Sequence, residues 1–207
     1  MLLMGVVISA AGFLMLLSPQ PVGYFTAPAG LLNIILGLTT PKSLGVTVSE
    51  SNPNSAKLLV DKGVLKASIY QLAFFDTKLI MKKLSSVNVT VILALALFLV
   101  GMLSDGLIGG LSGGLTGYSI QEHLTQKNRD RIRKQNMAST VGRGDLEFGY
   151  DDLDKVHLRS SSLQLFFQKG IVRVSLPRGY AKKMGASLES IFPDKYEAEP
   201  SPYSVNP

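Results

Sequence analysis

Residues 87–118 of this 207-residue chain read VNVTVILALALFLVGMLSDGLIGGLSGGLTGY and differ sharply in composition from the sequence on either side. The half that ends at Leu103 is bulky and aliphatic, whereas the half that follows Asp105 is rich in glycine. Asp105 is the one charged residue between positions 84 and 121. Because a soluble domain does not leave so long a stretch without solvated charge, this stretch predicts a membrane segment.

The glycines of the second half recur four residues apart. On a helix this spacing places them on one face, where they form a groove that lets another helix approach closely in lipid. A flexible glycine-rich loop is the alternative, but the interleaved Leu and Ile residues argue against it. The predicted helix-packing residues are Gly106, Gly109, Gly110, Gly113, Gly114 and Gly117.

Length and charge favour a hairpin over a single span for 87–118. One continuous helix would be about 48 Å long, against a hydrocarbon core of ~30 Å. The segment 42–83 carries seven Lys against three acidic residues, and the basic run QKNRDRIRKQ begins at position 126. Because positive flanks mark the cytoplasmic side, both flanks are predicted to be cytoplasmic. The predicted membrane-surface basic residues are Lys78, Lys82, Lys83, Lys127, Arg129, Arg131, Arg133 and Lys134.

The hairpin is predicted to turn at Ser104-Asp105-Gly106, which is ordinary turn chemistry at an outer interface. The alternative is an intramembrane carboxylate that serves protons or ions. The two arms are short for spanning helices, so crossing the bilayer and dipping into it both stay open.

Residues 1–41 contain no Asp, Glu, Lys or Arg and predict an N-terminal membrane hairpin. Its two apolar runs flank Pro19 and Pro21, which cannot continue a helix. A cleaved signal peptide over 1–22 is the alternative, but its basic n-region is missing, since no Lys or Arg precedes Lys42.

The remaining segments predict a small antiparallel β domain formed by 55–84 and 144–192. Four alternating runs follow Gly144, and a helix opened by Pro177 comes next. The upstream part reads as two strands separated by Asp76-Thr77, too few to be stable alone. Because both flanks are predicted to be cytoplasmic, the two parts pair into one sheet, and the hairpin is an insertion. Segment 119–143 is predicted to be a basic helical linker, and 193–207 a disordered tail.

Two short patterns within these segments resemble GRAM and bacterial pleckstrin-homology-like domains. YQLAFFDTKLIM, from Tyr70, resembles their L-x-x-T-D-x-R-L-I second-turn pattern, with Phe75 and Lys78 where Thr and Arg are commoner. YDDLDKV, from Tyr150, is similar to their hydrophobic-x-x-I-x-x-V pattern before the middle strands. The resemblance implies a partly open β-barrel capped by a C-terminal helix. The predicted fold class is therefore an α+β membrane protein with helical hairpins and a pleckstrin-homology-like sheet.

The sequence does not predict catalytic, cofactor-binding or metal-binding residues. The chain has no cysteine and two histidines, His123 and His157, both interpreted as surface residues. HExxH, a phosphate loop and G-x-S-x-G are missing. The acidic run from Asp151 to Asp154 lacks the closing Glu of a calcium loop. An enzyme is therefore disfavoured, and so is nucleic-acid binding, because the basic linker has interspersed acids and no aromatic residue.

These patterns predict a multi-pass cell-membrane protein with its polar domain in the cytoplasm. Its expected role is that of a scaffold or assembly protein whose β module binds lipid headgroups or a protein partner. Its expected partners are the lipid bilayer and further copies of itself or a larger membrane complex. The alternatives are an accessory subunit of such a complex, and a pore or transport component that uses Asp105 and the glycine-rich helix.

Overall fold

The computed structural model describes residues 6, 9–10, 14, 24–39, 45–48, 56–134 and 140–198. Over these ranges the protein is α+β, with one open sheet and one long apolar helix, which confirms the predicted class in its coarse form. The chain divides into two compact units. We call them the helical unit, Met1–Lys42 with Ser86–Asp130, and the β unit, Ser43–Ser85 with Arg131–Pro207.

The first described helix, α1, extends over Thr26–Thr39. Pro28 lies in its first turn, where the missing N–H has no intrahelical partner in any case. Of the preceding run, Val6, Ser9, Ala10 and Leu14 are helical. The rest of the predicted N-terminal hairpin lies outside the described residues.

The second helix, α2, is assigned over Val87–Lys134 and is interrupted at two residues. By length and composition Val87–Ile132 is able to cross a membrane. Asp105 (φ −126°, ψ 21°) and Gly106 (φ 64°, ψ −149°) have non-helical backbone angles, and the positive φ favours glycine. The helix therefore consists of a first arm, residues 87–104, and a second arm, residues 107–134.

The β unit contains a nine-stranded sheet in the order β5-β4-β3-β2-β8-β7-β6-β9, with β1 paired to β2. The sheet is antiparallel except for β9, which runs parallel to β6. The strands are β1 (Val46–Val48), β2 (Leu58–Leu65), β3 (Ser68–Phe74), β4 (Lys78–Ser86), β5 (Leu146–Gly149), β6 (Leu153–Arg159), β7 (Ser162–Phe167), β8 (Gly170–Ser175) and β9 (Tyr196–Ala198).

Two neighbouring strands of the sheet come from opposite sides of α2 in the sequence. β4 ends where the first arm begins, and β5 starts after the second arm has ended. They pair in antiparallel register from Lys78↔Gly149 to Met81↔Leu146. The sheet is therefore built from both polar segments, with the helix pair inserted between them.

The core of the β unit is apolar and is completed by helix α3 (Tyr180–Ile191). Met184 and Leu188, one helical turn apart, are buried from α3, and Phe192 follows them into the core. The Phe192 ring meets Phe74 edge-on, with ring centroids 6.4 Å apart. Side chains point to alternate faces along each strand, and those on the inner face form the other side of this core.

Two local predictions differ from the structure. The run expected to be one strand before Asp76 is divided into β2 and β3 by a turn at Lys66-Ala67, where Lys66 has φ 55°. The tail expected to be disordered from position 193 contains β9, which pairs with β6 through Val156↔Tyr196. Residues 199–207 lie outside the described part of the chain.

Candidate functional site

The glycines of the second arm lie directly against the backbone of the first arm. A Cβ atom on Gly113 would be 2.0 Å from the carbonyl oxygen of Leu97, and one on Gly109 would be 2.1 Å from that of Gly101. Because residue numbers rise on one arm as they fall on the other, the arms are antiparallel. No larger side chain fits at these positions unless the arms separate.

The six glycines predicted to pack do not have equal roles. Gly117 also meets backbone, since its Cβ would be 2.7 Å from Ala94 Cα. Gly110 and Gly114 face the side chain of Phe98, at 3.1 Å and 3.7 Å. Gly106 has no heavy atom within 4 Å and a φ of +64°, so its role is the turn rather than packing, which differs from the prediction.

Asp105 is buried at the N-terminus of α1. Its Oδ2 atom accepts hydrogen bonds from the Phe25 amide (2.9 Å), the Thr26 amide (2.7 Å) and the Thr26 hydroxyl (2.8 Å). The first amides of a helix lack intrahelical partners, and a negative charge there is favoured by the helix dipole. Asp105 lies at the turn, as predicted, but at 7% exposure it serves as a cap for another helix rather than a solvated turn residue.

A second polar contact joins α1 to the second arm. Asn33 donates from Nδ2 to the hydroxyl of Thr116 (2.7 Å) and to the carbonyl oxygen of Ala29 (2.9 Å), and its Oδ1 accepts from the hydroxyl of Ser119. All three polar side chains in this network are buried. Buried amides and hydroxyls need such partners, and the sequence contains no motif that predicts this pairing.

The outer faces of the same helices carry large apolar side chains. Leu103, beside the turn, is 89% exposed. The other exposed large apolar residues of the two arms and α1 are Leu31, Leu32, Ile35, Leu38, Val87, Val89, Val91, Ile92, Leu95, Leu99, Val100, Met102, Leu107, Ile108, Leu111, Leu115, Tyr118 and Leu124. The helical unit thus has a polar, glycine-lined interior and an apolar exterior.

The predicted membrane-surface basic residues differ in how exposed their side chains are. Lys82 and Arg129 are buried, at 6% and 2% exposure, which differs from the surface position expected of them. Lys78 is half-buried and pairs with Glu147 at 2.8 Å. The side chains of Lys83, Lys127 and Arg131 are exposed, and those of Arg133 and Lys134 lie outside the described residues.

Lys82 forms a buried ion pair that the sequence did not indicate. Its Nζ lies 2.7 Å from Oδ2 of Asp145 and also donates to the carbonyl oxygen of Thr140. The amides of Lys83 (2.8 Å) and Gly142 (2.7 Å) donate to the same carboxylate. Burial alone would raise the pKa of Asp145, but the hydrogen bonds and charge of Lys82 and the two amides outweigh burial and lower that pKa.

The β unit contains an open cleft of about 550 Å³ beside strand β5. Its floor is aromatic, because Phe148 of β5 and Phe167 of β7 stack with ring centroids 5.4 Å apart. The turns before β6 and before β8 complete it. The lining residues are Glu147, Phe148, Gly149, Asp151, Asp152, Phe167, Lys169, Gly170, Ile171 and Val172.

Within the described ranges, no group of three or more His, Asp or Glu side chains is arranged to hold a metal ion. His123 and His157 are both partly exposed, and they belong to different units. The contacts therefore define a helix-packing site and a cleft.

Comparison with protein-family models, with curated proteins and with solved structures gives no match for this chain. The class is therefore defined by the chain's own geometry. It is an α+β protein with one open antiparallel sheet. A long apolar helix, reversed at Asp105-Gly106, lies in the sequence between two paired strands of that sheet.

Proposed function

We propose that this protein is a membrane-anchored scaffold. In this proposal α1 and the two arms of α2 lie in the cell membrane, and the β unit holds a partner on the cytoplasmic side. The basic flanks of the helical segments support the cytoplasmic placement. The proposed role is to fix a binding module at the bilayer rather than to carry out a reaction.

The observation that carries the proposal is the inverted burial of the helical unit. Its interior holds Asn33, Asp105 and Thr116, while leucine and valine side chains cover its outside. In water this arrangement would leave a large apolar surface exposed, which marks a membrane or interaction surface. In lipid the same arrangement is favourable, because close backbone packing and interhelical hydrogen bonds supply the association energy.

The pairing of β4 with β5 supports an even number of crossings. The two strands lie on either side of α2 in the sequence and are hydrogen-bonded neighbours in the sheet. Because one folded sheet lies on one side of a bilayer, the chain that leaves β4 has to return to the same side before β5. The reversal at Asp105-Gly106 provides that return.

A scaffold agrees with these contacts better than a pore does. Asp105 is the carboxylate that a transport path would need, but three donors from Phe25 and Thr26 hold its Oδ2 atom. The resemblance to pleckstrin-homology-like domains, with α3 packed into the sheet core, supports a binding role for the β unit.

The proposal is tested by topology mapping with single cysteines in this Cys-free chain. We expect Ser55→Cys and Thr140→Cys to be protected from an impermeant maleimide added outside intact cells. Leu103→Cys, at the exposed turn, should label if the arms span the bilayer and should be protected if they only dip into it.

Extraction with alkaline carbonate supplies the control for membrane insertion. The protein should stay in the membrane pellet, while release into the supernatant would remove the anchored scaffold altogether. Labelling of Thr140→Cys but not of Ser55→Cys would mean a single crossing and would contradict the inserted sheet.

A further inference from the structure

The cleft of the β unit lies beside a strand that forms one end of the sheet. β5 is the first strand in the sheet order and pairs with β4 alone among the described strands. The other flank of β5 has no strand partner among the described residues, and Glu147, Phe148 and Gly149 of this strand line the cleft. An unpaired flank of this kind is a template for another strand.

The register fixes which backbone groups of β5 are available. The amide of Tyr150 donates to the carbonyl oxygen of Thr77 at 3.0 Å, so the backbone N–H of Tyr150 is directed towards the β4 side. Backbone groups alternate along an antiparallel strand. The N–H and C=O groups of Glu147 and Gly149 therefore point away from β4, towards the free side, where an added strand would pair.

The side chains around the cleft give it a chemical preference. Phe148 and Phe167 provide an aromatic floor, and Ile171 is 63% exposed beside it. The rim carries three carboxylates against one lysine, and Lys78 already pairs with one of them, that of Glu147.

The other two rim carboxylates belong to Asp151 and Asp152. Both are exposed, and neither has an ion-pair partner within the described part of the chain. The rim therefore favours a positively charged occupant, and it disfavours the anionic headgroups that the basic flanks of the chain would attract.

We propose that the cleft binds an extended basic segment of a partner protein. The segment adds to β5 through the backbone of Glu147 and Gly149, which is the strand-addition mode of peptide recognition. Alternate side chains then divide between two environments. Apolar residues rest on Phe148 and Phe167, and Lys or Arg residues face Asp151 and Asp152.

The chain's own tail does not have this chemistry. Residues 199–207 read EPSPYSVNP and contain no Lys or Arg. They also follow β9, which lies at the opposite end of the sheet from β5. Residues 199–207 therefore do not match the basic occupant that the rim favours.

This inference rests on the proposed scaffold role and names the partner class for its β unit. The two can fail separately. Topology mapping and carbonate extraction test the membrane anchor, whereas peptide binding to the full-length protein in nanodiscs tests the cleft. A protein that stays in the membrane but binds no peptide would contradict the cleft proposal alone.

The experiment uses a fluorescein-labelled synthetic peptide in which Lys or Arg alternates with Val and Phe. Fluorescence anisotropy with full-length protein in neutral-lipid nanodiscs measures its Kd. An acidic control peptide carries Glu at every basic position. A second control peptide is N-methylated at alternate amides, on the edge that would pair with β5. If the peptide binds by strand addition, this control should bind at least tenfold more weakly, a loss of about 1.4 kcal/mol in binding free energy.

The matched protein variants each remove two carboxylates. Asp151→Asn with Asp152→Asn should weaken binding about tenfold, since two exposed ion pairs are lost. Asp194→Asn with Glu189→Gln removes two exposed charges elsewhere in the β unit and should leave the Kd unchanged. Ile171→Lys should weaken binding further by repelling the peptide.

Several results would overturn the proposal. They are a wild-type Kd above about 1 mM, equal binding of the acidic peptide, and an unchanged Kd in the double Asp variant. Water-soluble glycerophosphoserine should not displace the peptide, and displacement would assign this face to a lipid headgroup instead. Circular dichroism of each variant checks that it is folded. If the double Asp variant is unstable, Ile171→Lys, at an exposed position, still tests the cleft.

Discussion

The helical unit and the β unit bury opposite kinds of side chain. In the β unit, Phe74, Leu72 and Met184 are fully buried, and charged residues lie mostly outside. In the helical unit, Thr26 and Asp105 are buried, while large aliphatic residues face outward. One chain therefore follows two packing rules, and the change occurs where β4 passes into α2.

Different forces favour association in water and in lipid. Burial of apolar surface from water contributes about 25 cal/mol per Å² to stability, and this term stabilises the apolar core of the β unit. Helices in lipid gain nothing from hiding leucine, so they associate through close backbone approach and hydrogen bonds. If the helical unit lies in lipid, as proposed, the contact of Gly113 with the Leu97 carbonyl and the network around Asn33 are of that second kind.

The strongest destabilisation is predicted for the core of the β unit. Phe74→Ala should destabilise this unit by about 3–5 kcal/mol, because it removes a fully buried ring that packs against Phe192. Urea unfolding followed by circular dichroism of the protein in nanodiscs measures the loss. Leu103→Ala, which shortens an exposed leucine of the helical unit, should change stability by less than about 0.5 kcal/mol. Equal losses of stability in the two variants would contradict the assignment of opposite burial to the two units.

The next effect concerns the Lys82–Asp145 pair, a polar exception inside the β unit. Asp145→Asn should cost about 2–3 kcal/mol at pH 7, because it leaves the Lys82 ammonium buried without its counter-ion. Asp194→Asn, at an exposed position, is the matched control. The free energy of unfolding from urea titrations measures both.

The same pair predicts a pH dependence with a defined sign. The pKa of Asp145 is lowered in the folded protein from its ordinary 3.8, so the carboxylate stabilises the fold above pH 3.8. That contribution is lost as the pH falls through the folded pKa. The stability gap between wild type and Asp145→Asn should therefore be constant near neutral pH and close below 3.8. A gap that closes at higher pH would mean that another group is responsible.

A smaller effect tests the glycine contacts of the helical unit. Gly113→Ala should cost about 2 kcal/mol, because its Cβ would lie 2.0 Å from the Leu97 carbonyl oxygen. Gly114→Ala has 3.7 Å to the nearest atom, so it should be neutral or stabilising by up to about 1 kcal/mol through helix propensity. Thermal unfolding in mild detergent followed by helical ellipticity separates them. Similar melting temperatures would show that the arms do not depend on backbone contact.

Much of the β unit was predictable because its strands alternate cleanly. β5, β6, β7 and β8 and the helix after Pro177 lie where the apolar periodicity placed them. The division of β2 from β3 was not predicted, because neither Lys66 nor Ala67 is a residue typical of turns. Gly63 is the residue in this run that would suggest a break in the strand. In the structure Gly63 lies inside β2, where a Cβ would be 2.4 Å from Leu72.

The helical unit was predictable in its turn but not in its polar contacts. Ser104-Asp105-Gly106 is a local signal, and the reversal occurs there. The cap that Asp105 gives Thr26 joins residues 79 positions apart, which no local pattern specifies. One signal was present: α1 has no acidic residue in its first turn, and Asp105 is the one charged residue between positions 84 and 121. That two crossings of a bilayer accompany this reversal stays a prediction.

The smallest effect is expected at Asp105. Asp105→Ala should cost about 1 kcal/mol, because the amides of Phe25 and Thr26 lose their acceptor. Asp105→Asn keeps a carbonyl oxygen and should cost only about 0.5 kcal/mol, from the lost charge at the α1 N-terminus. Ser104→Ala, next to it but exposed, is the control. Thermal unfolding in detergent measures all three.

The same variants decide between a cap and a conducting carboxylate. If Asp105 is a cap, ion flux in proteoliposomes should be equally absent in wild type and in Asp105→Asn, and stability should follow the order wild type, Asn, Ala. Flux in the wild type that Asp105→Asn abolishes, with melting temperatures unchanged, would reverse the assignment. The polar interior of the helical unit would then be a path rather than a means of packing, and the contrast with the β unit would be one of function as well as of burial.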